Sequence, residues 1–181
     1  MTVSDDLLCL IRIGRHDDTV RFINNHINAE VLREFGPENI DVILNNTIYY
    51  GSRNVLEALI DHGLNIHYIN NNGLGALHFA VQNGNLQIIR LLLEKRIDIN
   101  ARYNNGDTIL HFAVKAGNLK VVKELIEKGI DVTVVNNEGL SSLDLAISLE
   151  DEDITIAITE ANFVLADDIT DNMNGTTATT E

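Results

Sequence analysis

The sequence predicts an all-α solenoid of about five helix-turn-helix repeats, degenerate at both ends, and three observations carry that prediction. Residues 72–103 (NGLGALHFAVQNGNLQIIRLLLEKRIDINARY) and 105–136 (NGDTILHFAVKAGNLKVVKELIEKGIDVTVVN) keep register without a gap at a step of 33 residues. Inside each copy apolar residues recur at helical spacing, as Leu77, Ala80 and Val81 do, and a Gly-Asn break then leads into a second apolar run. The chain holds one proline, Pro37, no Trp, and 5% aromatic against 45% hydrophobic residues, the profile of an aliphatic, helix-packed core.

Residues 1–165 are expected to form a single repeat domain. Residues 1–36 are a degenerate N-terminal capping repeat, with Leu7, Leu8 and Ile11 on a first helix, a break at Gly14-Arg15-His16, and Val20, Phe22 and Ile23 on a second. About three extra residues fall near Gly36-Pro37. Repeat 37–69 carries Leu44, Thr47 and Ile48, the glycine Gly51, and the run Val55–Ile60 closed by Gly63. Repeats 70–102 and 103–135 are the two clear copies. Residues 136–165 form a C-terminal cap in which Asp144 and Glu150 stand where the other repeats have His and Gly, and Ile154 to Ile158 supply the closing helix. Residues 166–181 are acidic and Thr-rich and are expected to be disordered. A unit of this size cannot bury enough apolar surface to offset its own ordering, so the repeats must stabilise one another.

The motif Leu77-His78-Phe79-Ala80 with Gly84-Asn85-Leu86, repeated as Thr108-Ile109-Leu110-His111-Phe112-Ala113 with Gly117-Asn118-Leu119, resembles the ankyrin family. The resemblance implies two antiparallel helices per unit, a β-turn finger between units, and a concave surface of finger tips and first helices that binds proteins. It also implies that His78 and His111 hold backbone turns by hydrogen bonding. Gly84 and Gly117 are placed to end the first helices through a positive φ. Thr108 is expected to cap its helix by accepting a backbone N–H bond, which Gly75 cannot do.

Charge and composition exclude several functions. The net charge is −14, and residues 129–181 carry 12 carboxylates with no Lys or Arg after Lys128. That argues against nucleic acid or an anionic membrane as a partner. No apolar run reaches the roughly 18 residues of a membrane span, and the acidic start lacks the pattern of a secretory leader. The lone Cys9 excludes an internal disulfide and, among Leu7, Leu8, Leu10 and Ile11, is expected to be buried. The six histidines show no metal-ligand spacing, and no nucleophile, phosphate-loop or cofactor motif appears.

Counting from each repeat's glycine, the resemblance places the partner surface at Tyr49, Tyr50, Ile69, Asn71, Asn72, Leu74, Gln82 and Asn83. It continues at Arg102, Tyr103, Asn104, Asn105, Asp107, Lys115 and Leu140. The expectation is a non-enzymatic, cofactor-free, monomeric cytoplasmic module that binds another protein. The alternative is an inhibitor whose acidic end engages a basic protein surface. The Asn-rich texture is similar to ankyrin proteins of AT-rich genomes, some delivered into host cells, which makes a host-directed effector a form of that alternative.

Overall fold

The computed structural model describes residues 2–50, 52–103 and 105–174, with side chains as far as Phe163. The described residues form helices and short hairpins, grouped into two compact units, Met1–Asp98 and Ile99–Glu181.

The first unit contains α1 (Val3–Ile13), α2 (His16–His26), α3 (Ala29–Glu34), α4 (Pro37–Tyr49), α5 (Arg53–Asp61), α6 (Ala76–Gln82) and α7 (Leu86–Glu94). The first helices α1, α4 and α6 pack side by side, and α2, α5 and α7 form a second row behind them. Leu7, Ile23, Leu44, Ile48, Leu56, Leu59, Leu77, Ile89 and Leu92 fill the space between the rows. In the second unit, α8 (Ile109–Lys115) packs on α10 (Ser142–Ser148), and α9 (Leu119–Glu127) packs on α11 (Glu152–Asn174). Its core is Leu110, Val114, Val121, Val122, Leu125, Ile154 and Ile158.

The Gly-Asn break is a stop signal followed by a start signal. Gly84 and Gly117 have φ of 66° and 63°, and the Asn that follows each caps the next helix. Asn85 Oδ1 accepts from the Ile88 N–H, and Asn118 Oδ1 from the Val121 N–H, both at 3.2 Å. The last repeat keeps the geometry with different residues, Glu150 at φ 57° and Asp151 capping α11 through the Ile154 N–H at 3.0 Å.

Between helix pairs the chain makes tight hairpins. Ile69 bridges to Gly75 and Val135 to Ser141, both antiparallel, while Asn70 and Asn136 each donate a backbone N–H four residues ahead, to Leu74 and Leu140, at 2.9 Å. Gly106 disfavours any side chain, because its φ is 78° and a Cβ there would lie 2.9 Å from the Asn137 backbone nitrogen.

Several features depart from the sequence-based expectation. Where the first finger was expected, Asn28 accepts from the Glu30 and Val31 N–H groups at 2.9 Å and caps a short extra helix, α3, while Gly36-Pro37, where the extra residues were placed, opens α4. Cys9 is exposed, because Leu7 and Ile11 turn one face of α1 inward and Cys9 lies on the other. The closing helix runs on to Asn174, through part of the segment expected to be disordered, since no Gly or Pro interrupts it before Gly175. The remainder of that tail, 175–181, lies outside the described residues. Ile147 takes the register position of Val81 and Val114 but is 57% exposed, because no described repeat follows to cover it.

Candidate functional site

In the first unit the finger of residues 69–75 is fastened from beneath. Asn70 Oδ1 accepts from the Asn72 and Leu74 N–H groups at 3.0 Å, while its Nδ2 donates to both carboxylate oxygens of Asp41 at 3.1 and 2.9 Å. This leaves the side chains of Ile69, Asn71 and Asn72 exposed and Leu74 half-buried. His78, buried, accepts the Gly75 N–H on Nδ1 at 3.1 Å. That bond fixes the neutral tautomer with its proton on Nε2, and burial pushes the imidazole down to about 4.

Tyr49 and Tyr50 close α4 with their rings edge to face, centroids 5.2 Å apart. Tyr49 is 65% exposed, and Val42, two turns earlier on the same helix face, is also exposed. Gln82 and Asn83 are exposed at the end of α6, where Asn83 Nδ2 donates to the Phe79 carbonyl at 2.8 Å.

In the second unit Asp107 is the centre of a polar cluster rather than a free surface group. It is 8% exposed and accepts from Asn136 Nδ2 at 2.9 Å, from Asn105 Nδ2 at 2.7 Å and from Lys115 Nζ. Burial acts to raise its carboxyl, but hydrogen bonds from Lys115, Asn136 and Asn105, together with the Lys115 charge, prevail and hold it below the usual carboxylate range. Arg102 Nη2 donates to the Val135 carbonyl at 2.6 Å, and the Asn137 N–H donates to the Asn105 carbonyl at 2.9 Å, so adjacent fingers are tied together.

His111 is fully buried and uses both ring nitrogens. Thr108 directs its N–H and its hydroxyl at Nδ1, at 3.2 and 2.9 Å, and Nε2–H donates to the Leu140 carbonyl at 3.0 Å. The Thr108 hydroxyl therefore serves the imidazole and does not accept the backbone N–H expected of a helix cap. Leu140 and Tyr103 are half-buried, Asn105 and Lys115 are exposed, and Asn104 lies outside the described residues.

The arrangement thus divides the sequence-predicted residues. Asp107 and Arg102 hold the fingers in shape; Tyr49, Tyr50, Ile69, Asn71, Asn72, Gln82, Asn83 and Asn105 face solvent. The solvent-facing set combines carboxamides with two tyrosines, and Tyr is a residue type enriched at protein interfaces. Among the described residues no group of three or more His, Cys, Asp and Glu could hold a metal ion, and no helix is long and apolar enough to cross a membrane. The exposure of Val42 beside Tyr49 was not read from the sequence, although its spacing of seven from Tyr49 was an available signal.

A family model described as ankyrin repeats in three copies matches residues 8–103, and a second, ankyrin repeats in many copies, matches residues 94–146. No curated protein matches the chain.

Proposed function

The chain belongs to the ankyrin-repeat family, whose repeats are generally protein–protein interaction modules, and we propose that it is a non-enzymatic adaptor binding one partner protein through its fingers and first helices. The observation that carries this reading is the Tyr49–Tyr50 pair, two aromatic rings at the end of a first helix with Tyr49 65% exposed. Tyr is a favoured interface anchor because it gives large contact area at low entropic cost, and nothing in the helix itself requires it there. The fingers support the reading, since side-chain hydrogen bonds hold their shape and leave their tips ready to bind with little further ordering. A monomer in the cytoplasm, built of five repeats with caps at 1–36 and 136–165, belongs to the same proposal. The test is affinity capture of partners by the full chain and by Tyr49→Ala; loss of a specific partner by the variant supports the proposal, and equal recovery refutes it.

A second reading rests on the 12 carboxylates without a cation in residues 129–181: an inhibitory or host-directed chain whose acidic end clamps a basic surface. Truncation after Phe163 separates the two, because only the acidic clamp predicts a salt-sensitive loss of partner binding.

A further inference from the structure

A pocket of about 240 Å³ opens in the first unit beside α3. It is lined by Ala29, Leu32 and Arg33 from α3, by Ile40 from α4, and by Leu64 and Tyr68 after α5. A cavity of about 150 Å³ holds a benzene ring, and drug-sized ligands occupy roughly 300 Å³ or more, so this volume suits a single aliphatic or small aromatic side chain. Among the described residues Arg33 is the one charged residue lining the pocket. Neither its guanidinium nor the Tyr68 hydroxyl has a hydrogen-bond or ion-pair partner among the described residues, although Glu30, Glu34 and Glu38 lie close to Arg33 in sequence. An apolar recess with an uncommitted cation and hydroxyl calls for an apolar group carrying an adjacent carboxylate.

We propose that this pocket docks a short segment of a partner protein in which one aliphatic side chain is followed by Asp or Glu. The aliphatic group fills the recess, and the carboxylate accepts from the Arg33 guanidinium and the Tyr68 hydroxyl. The proposal deepens the protein-binding reading and rests on it, but it uses none of the finger residues.

Titration of the ¹⁵N-labelled full chain with the blocked peptide acetyl-Gly-Leu-Asp-Gly-amide, followed by NMR, tests it. Saturable shifts are expected at the Ala29, Gly63 and Leu64 amides, weakened about tenfold by Arg33→Ala and similarly when the peptide Asp is replaced by Asn. Ala29→Leu, which fills the recess from an exposed position, should abolish them. Tyr49→Ala should leave this titration unchanged while removing capture of the partner, so failure of the pocket and failure of the finger face register in different variants. No saturable shift, an equal response to the Asn peptide, or tighter binding of free 4-methylpentanoate than of the peptide overturns the proposal.

Discussion

Asn136 donates from Nδ2 to Asp107 at 2.9 Å, and the same pair recurs 66 positions earlier as Asn70 and Asp41, again 29 residues apart. In both places the asparagine Oδ1 also collects two backbone N–H groups of its own finger, from Asn72 and Leu74 or from Glu138 and Leu140. One side chain therefore shapes a finger and fastens it to the preceding repeat. Asn136→Ala leaves those two N–H groups and part of the buried carboxylate unmatched, and is expected to cost about 2–3 kcal/mol in denaturant unfolding. The Asp107 carboxyl is depressed in the folded state, so its contribution is complete above its unfolded value near pH 4 and is lost as pH falls through the lower folded value. Unchanged stability in Asn136→Ala would contradict this role.

Thr47 places a hydroxyl at a fully buried position where it has no hydrogen-bond partner among the described residues, while the corresponding positions in later repeats are Ala80, Ala113 and Ala146. Thr47→Val keeps the shape and removes the unsatisfied oxygen. It should stabilise the chain by about 1 kcal/mol, raising Tm by roughly 2–4 °C; a fall in Tm would show that the hydroxyl is satisfied in solution.

Arg96 and Glu150 adopt φ of 65° and 57° at positions where neighbouring repeats have Gly129 or Gly117. A side chain in that region costs about 1–2 kcal/mol, partly offset by the greater freedom glycine has when unfolded. Arg96→Gly and Glu150→Gly are each expected to gain roughly 0.5–1 kcal/mol, and Gly117→Ala to lose about 1 kcal/mol or more. Calorimetry of the three variants checks the signs.

His78 is neutral in the folded state because burial lowers it to about 4, whereas the unfolded imidazole titrates near 6.5. Between those values the unfolded chain binds the extra proton. Stability is therefore full above about pH 6.5 and declines as pH falls toward 4, by about 2–3 kcal/mol in all. His78→Gln should flatten that part of the pH profile, and an equally steep decline in the variant would assign the effect to other groups.

The repeat register was legible because it rests on chemistry that must recur. A helix ending at Gly117 needs a positive φ, and Asn118 must then supply the next cap, so both residues return at fixed spacing. The burial of Asp107 was not legible, since a carboxylate near a finger tip reads as solvated until Lys115, Asn105 and Asn136 are brought around it. Cys9 was misplaced because an unbroken apolar run, Leu7 to Ile11, does not reveal which side of a helix turns inward. Helix α3 was hidden because Asn28 starts it outside the repeat register, and the pocket it lines depends on residues as distant as Ala29 and Tyr68.

Site-specific photo-cross-linking addresses the proposed binding face most directly, with a benzophenone side chain placed singly at Tyr49, at Asn72 or at the exposed second-helix residue Lys123 of the full chain. The proposal predicts one common partner cross-linked from 49 and 72, competed by unlabelled wild-type chain, and none from 123. Equal cross-linking from 123, or none from either first-face position, would contradict it.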